Sequence, residues 1–170
     1  MSMMSIRTAT PRDRAAIRLV EEHAFGQNTE AGLVDALVSG NDVVLELVAE
    51  EEGAVVGHIL FSRLYVQNGA EAYPALALAP LAVEPSFHGT GIGGALIREA
   101  HVRLKEAGET LAIVLGDPAY YGRFGYAHDR AAGFASDYQC DALQALAWND
   151  AAPTTGSLVY AQPFRTDLAA

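Results

Sequence analysis

Four glycines stand within six residues of one another in the run His88-Gly89-Thr90-Gly91-Ile92-Gly93-Gly94. A helix pattern follows them, with apolar residues at 92, 96, 100, 104 and 107 and a natural left-handed stop at Gly108. Glycines at the start of a helix leave backbone N–H groups uncovered, and the helix dipole adds positive potential there. The chemistry this implies is the binding of a phosphate or pyrophosphate. It is not a P-loop, because no Lys-Ser or Lys-Thr pair follows the glycines. Gly89, Gly91 and Gly94 satisfy the dinucleotide pattern, with Asp117 as a candidate ribose ligand. Against that reading, Glu84-Pro85-Ser86-Phe87-His88 separates the preceding strand from the first glycine. The chain after Gly94 is also too short for a doubly wound sheet with a substrate domain.

Groups able to move protons lie on both sides of this loop. Glu84 closes the preceding strand, Glu22 and His58 lie upstream, and Tyr120 and Tyr121 lie downstream. Each has a bland alternative: a solvated helix face for Glu21 and Glu22, a packed core histidine for His58, a packing aromatic for Tyr121. The five histidines and single Cys140 show no H-E-x-x-H or C-x-x-C spacing, so no metal site is read. No G-x-S-x-G is present, which argues against a serine hydrolase.

The stretch Val83-Glu84-Pro85 followed by His88-Gly89-Thr90-Gly91-Ile92-Gly93 resembles the acetyl-coenzyme A motif of the GCN5-related N-acetyltransferases. That family writes Gln/Arg-x-x-Gly-x-Gly/Ala after a strand ending Val-x-Pro, and His88 departs from the usual first residue. Tyr121-Gly122-Arg123-Phe124-Gly125-Tyr126 is similar to the family's Tyr-x-x-x-Gly-Phe signature, with Tyr126 in place of Phe. The fuller run from Leu115 to Tyr126, with 30–37 and 160–164, suits its bacterial YhbS-like branch. The resemblance implies acetyl transfer from acetyl-coenzyme A to a primary amine, on a small molecule or a peptide. It implies that backbone groups from Gly89 to Gly94 hold the pyrophosphate, with His88 opening the loop. Leu81 and Val83 would pair with the pantetheine arm, and an N–H near Leu81 or Ala82 would polarise the thioester carbonyl. Tyr121 would serve the departing thiolate. Glu84, Glu22 or His58 would accept the amine's proton. The first two helices would wall the acceptor site, making Glu21, Glu22, His23, Phe25 and Glu30 substrate-side candidates. A non-catalytic acyl-coenzyme A binder is the alternative from another class, and a nicotinamide-dependent oxidoreductase a third.

The elements that must carry these residues follow from periodicity and turn chemistry. A strand is predicted at 6–9, then a helix opened by Thr10-Pro11, then a second helix capped by Thr29 and running through Leu37. Strands are predicted at 42–50, 54–67 and 73–83, with turns at Glu51-Glu52-Gly53 and Asn68-Gly69 and a bulge at Gly57. After the long helix comes a buried strand at 110–115, parallel to the 73–83 strand by the crossover rule. Pro118 opens a short helix ended by Gly125, a strand resumes from Tyr126, a helix is expected over 141–147, and a last strand over 156–161. The implied fold is α/β in the α+β sense: a mixed, mostly antiparallel sheet with a splayed parallel pair and flanking helices, in one domain over 1–170.

Composition narrows the setting. The 170 residues are 51% hydrophobic, enough for a proper core, and carry a net charge of −10. That charge argues against non-specific nucleic-acid binding, which depends on neutralising phosphates with Lys and Arg. One cysteine forms no internal disulfide and fits a reducing compartment. No apolar run reaches the roughly 18 residues of a membrane span, and the first residues lack a signal-peptide profile. The expected setting is the cytoplasm, with no membrane partner; a homodimer is compatible with this reading.

Overall fold

The computed structural model describes residues 4–169. Its strands are β1 (Met4–Thr8), β2 (Val43–Glu51), β3 (Ala54–Asn68), β4 (Glu71–Val83), β5 (Leu111–Leu115), β6 (Phe134–Ala135), β7 (Leu143–Ala147) and β8 (Gly156–Val159). Its helices are α1 (Arg14–Phe25), α2 (Thr29–Ser39), α3 (Ile92–Glu106), α4 (Pro118–Tyr121), α5 (His128–Ala131) and α6 (Gln162–Ala169). Hydrogen bonding orders the strands β1-β2-β3-β4-β5-β7, with β8 against β3 and β6 against β8. The chain forms two compact units, one running through Phe61 and including Ala79–Arg103, the other holding Ser62–Leu78 and the chain from Leu104.

In the first unit, β1 pairs antiparallel with β2 from Met4↔Glu51 to Thr8↔Leu47. The chain then turns through a single 3-10 turn, Pro11–Asp13, before α1 begins. Asp13 fixes this turn by accepting the Thr10 N–H at 2.7 Å and the Arg7 guanidinium at 2.7 and 2.8 Å. Gly26, at φ +69°, ends α1. Asn28 occupies the cap position of α2, so Thr29 is its first residue and not the cap expected. Glu52 and Gly53 both have positive φ, the signature of a tight hairpin turn that matches strand twist. Gly57, where a bulge is expected, has a packing role. Its missing side chain makes room for α3, since a Cβ there would lie 2.9 Å from Ile92 and 3.0 Å from Leu96. Ile92, Leu96, Ile97 and Ala100 bury the inner face of that helix. Ala107, expected on the stripe, lies exposed beyond the helix end.

In the second unit, Leu76–Leu78 of β4 pair with Ala112–Val114 of β5 in parallel, as the α3 crossover requires. The pairing stops at Leu78↔Val114, while β4 continues to Val83. The segment 141–147 is not a helix. Leu143–Ala147 pairs antiparallel with β5 in register Leu143↔Leu115 to Ala147↔Leu111. Its Ala, Leu and Gln favour helix intrinsically. The pairing prevails because Leu143, Ala145 and Ala147 alternate onto the cluster of Leu111, Ile113, Leu64 and Phe134. Nor does a strand resume at Tyr126: Ala127 makes one isolated bridge to Ala145, and α5 follows.

Candidate active site

The glycine segment is shaped by three local rules. Pro85 starts a 3-10 turn, Pro85–Phe87, directly after β4. The turn is extended when Thr90 N–H donates to Phe87 O at 3.3 Å. Gly89 and Gly91 then take φ of +79° and +87°, conformations that side chains resist, with no atom within 4 Å of either Cβ position. The bond from Ala95 N–H to Gly91 O, at 3.0 Å, closes the first turn of α3. Helix geometry therefore leaves the N–H groups of Gly91, Ile92, Gly93 and Gly94 directed off its end. With no acidic residue in that turn, this concavity suits an anion.

The departure at His88 has a visible role. Its Nε2–H donates to Val83 O at 2.8 Å, tying the loop to the end of β4. Along that end, Pro80 and Ala82 are buried while Ala79, Leu81 and Val83 are partly open, a period of two. The Ala79–Pro80 peptide is cis. Glu84 N–H donates to Val56 O at 2.8 Å, tying the residue after β4 to β3.

α1 supplies partners to both His58 and Glu84. His23 Nδ1 lies 2.8 Å from Glu84 Oε1, with side chains 53% and 22% exposed. Deeper in, His58 donates Nδ1–H to Glu21 Oε2 and Nε2–H to Glu46 Oε2, each at 2.7 Å. Arg14 completes the chain, donating to Glu46 Oε1 at 2.5 Å. Burial alone would push His58 toward the neutral form, but the two carboxylates outweigh it and raise its pKa above the ordinary value. Burial raises the Glu21 carboxyl, with His58 opposing. Glu46 is lowered, because His58 and Arg14 together overcome its burial.

These contacts sort the sequence candidates. His58 is sealed in the core, and Glu21 is fully buried, not on a solvated face. Glu22 stays on the surface, 3.6 Å from Arg18. With His23, Gly26, Gln27 and Asn28 it lines a shallow depression at the α1–α2 turn. Glu46 and Arg14 escaped the sequence reading, since nothing in their spacing ties them to residues 58 and 21.

The tyrosine segment belongs to the second unit. Asp117 caps α4, accepting Ala119 N–H at 3.0 Å on its side chain, so it is not shaped as a ribose ligand. Tyr121 stands at the C-terminal end of α4, half-buried, with ring centroids 5.0 Å from Tyr120 and 6.0 Å from Tyr126. Burial, reinforced by neighbouring Tyr120, pushes its hydroxyl up to about 12. Tyr121 therefore holds its proton throughout the neutral range. Tyr120 instead carries the Arg123 guanidinium over its ring, 5.2 Å from the centroid.

The chain belongs to the GNAT family of acetyltransferases: the "Acetyltransferase (GNAT) domain" matches residues 5–128. It is 41% identical over 116 residues to the uncharacterized N-acetyltransferase YjhQ of Escherichia coli K12, a match covering 67% of this chain and 64% of YjhQ's length. The fold is similar to that of a GNAT family acetyltransferase from Brucella melitensis, solved in complex with acetyl-CoA, at a TM-score of 0.81 and 37% identity, covering 95% of this chain and 98% of that one. It is also similar to YhbS from Escherichia coli, solved in complex with CoA, at a TM-score of 0.87 and 30% identity, covering 97% and 93% of the two chains. The mixed sheet with flanking helices and the YhbS-like resemblance both stand. Among the described residues, no helix is long and apolar enough to cross a membrane.

Proposed function

We propose that this protein transfers the acetyl group of acetyl-coenzyme A to a primary amine carried by a small molecule or a peptide, in the cytoplasm, with residues 1–170 as one acetyltransferase domain. The observation that carries this reading is the concavity at the start of α3. Left-handed Gly89 and Gly91 and the outward N–H groups of Gly91–Gly94 suit a pyrophosphate, and a single 3-10 turn joins the segment to β4. His88, Thr90 and Ile92 complete the loop around it. The end of β4, past its last pair with β5, offers the backbone of Leu81, Ala82 and Val83 to the pantetheine arm and the thioester.

In the reaction the amine nitrogen attacks the thioester carbonyl carbon, the C–S bond breaks, and a proton leaves nitrogen. An N–H at Leu81 or Ala82 stabilises the oxyanion. Glu84 belongs to the side that removes the amine's proton, and Tyr121 serves the departing sulfur. A phenol pushed up to about 12 does not give its proton outright to a thiolate of ordinary pKa near 8.5. Tyr121 therefore acts by donating a hydrogen bond as negative charge gathers on sulfur.

The test has two stages. Acetyl-coenzyme A and coenzyme A raise the melting temperature and NAD(P) does not; ligand at 100 times its dissociation constant adds about 2.7 kcal/mol. Thioester consumption with a panel of amines then separates an enzyme from an acyl-coenzyme A binder. A shift with NAD(P) alone would overturn the reading.

A further inference from the structure

We propose that His23 is the group that takes the acceptor's proton and that Glu84 is its positioning residue. This rests on the acetyl-transfer reading and goes beyond it, because that reading leaves the proton acceptor as a carboxylate acting alone.

The geometry is that of an oriented imidazole. A carboxylate only accepts, so the 2.8 Å contact between His23 Nδ1 and Glu84 Oε1 requires the ring proton on Nδ1. The lone pair is then on Nε2, on the far edge of the ring from Glu84. The His23 side chain is 53% exposed, so that edge is within reach of a ligand. Glu84 is held more firmly. Its side chain is 22% exposed, its N–H is bonded to Val56 O at 2.8 Å, and Pro85 follows it. A fixed carboxylate behind a partly exposed imidazole is the arrangement that lets histidine act as a general base.

The other candidates are engaged elsewhere. Both ring nitrogens of His58 are bonded to buried carboxylates, so it has no lone pair to offer. Glu22 faces Arg18 at 3.6 Å, and Glu30 accepts from Gln27 at 3.1 Å. His23 also borders the shallow depression formed with Glu22, Gly26, Gln27 and Asn28. In the step itself, Nε2 takes one proton from the acceptor's ammonium, and the nitrogen lone pair so freed forms the C–N bond to the thioester carbon. The C–S bond then breaks, and the second proton leaving nitrogen goes to the departing thiolate, giving the amide and the free thiol. The imidazolium is stabilised by Glu84 until it loses the proton to water.

The experiment compares wild type, His23→Ala and Glu84→Gln for acetyl-coenzyme A affinity and for kcat/KM with the best amine of the panel. Removing the base is expected to lower kcat/KM by about 10²–10⁴-fold while affinity for acetyl-coenzyme A is kept. Imidazole, and more strongly 4-methylimidazole, restores turnover to His23→Ala, because the partly exposed site admits a soluble base; sodium chloride of equal ionic strength does not. Glu84→Gln loses less, and the double variant is no worse than His23→Ala alone. Wild-type turnover by His23→Ala, with a loss only in Glu84→Gln, would assign the base to Glu84 and overturn the proposal. A loss in His23→Ala that no imidazole restores, or that falls on acetyl-coenzyme A affinity, would mark a structural role and also overturn it. A wild-type protein that consumes no thioester with any amine overturns the acetyl-transfer reading itself, and this inference with it.

Discussion

Glu21 Oε2 and His58 Nδ1 lie 2.7 Å apart, and neither side chain has any exposed surface. Thirty-seven residues separate them along the chain, and α1 and β3 bring them together. With Glu46 and Arg14 they form an alternating row of charge, minus, plus, minus, plus, laid through the core of the first unit. Buried charges persist only when each is met by its opposite, since desolvation costs several kcal/mol per ion. Glu21 Oε1 is still without a hydrogen-bond partner. The row is therefore a demanding arrangement that breaks from its centre.

His58→Leu is predicted to destabilise the fold by about 3–5 kcal/mol, because two buried carboxylates lose their shared cation. Glu21→Gln keeps an acceptor for the Nδ1–H and should cost about 1–2 kcal/mol. Urea denaturation measures both. Equal losses in the two variants would mean that packing, not charge, sets the cost at His58.

Stability should fall on both sides of neutrality. The folded pKa of His58 is raised, so its contribution is complete below about pH 6.5 and is lost as pH rises through the folded value, at up to about 1.4 kcal/mol per pH unit. The raised Glu21 carboxyl acts in the same direction, from about pH 4.3 upward. Asp13 is held low chiefly by its bond from Arg7, and Glu46 by His58 and Arg14 against its burial. Their contributions are complete above about pH 4–4.5 and are lost on acidification. Denaturant unfolding across pH 3–9 checks this. A flat line from pH 6 to 9 would show that folded His58 is neutral.

Gly91→Val addresses the loop proposed to hold the pyrophosphate. No protein atom is near the new side chain, but φ +87° is a conformation that a β-branched residue resists. The variant should fold and bind coenzyme A at least tenfold more weakly, about 1.4 kcal/mol. Unchanged affinity in a folded variant would move the ligand elsewhere.

Tyr121→Phe removes the hydroxyl and keeps the ring among Tyr120 and Tyr126. Acetyl-coenzyme A should still bind, and turnover should fall by up to about 10²–10³-fold, the loss of one donor to developing charge. Tyr120→Phe is the control and should lose little. The reverse pattern would reassign the hydrogen-bond donor to Tyr120.

What was legible in the sequence is local. The glycine loop, the Asn68-Gly69 turn and the stop at Gly108 are all set by backbone conformations that few residues adopt. The parallel pair follows from one crossover. Residues 141–147 were misread as helix because Ala, Leu and Gln favour one, and only the neighbouring strand reveals the alternation. At Gly57 the sequence could not show the close approach of α3, which leaves no room for a side chain. The Glu21–His58–Glu46–Arg14 row was illegible for a similar reason. Each member alone has a surface or core explanation, and only tertiary structure joins them.

Gly116 gives the second unit a tuning point. A Cβ there would fall 2.5 Å from the ring of Tyr121, so the aromatic ring lies against bare backbone. Even a methyl group at that position would push the ring aside and leave its hydroxyl chemically untouched. Gly116→Ala thus displaces the proposed donor without deleting it. It separates the value of having a phenol from the value of aiming it, and natural variation at this one position could adjust turnover with no change in any reacting group.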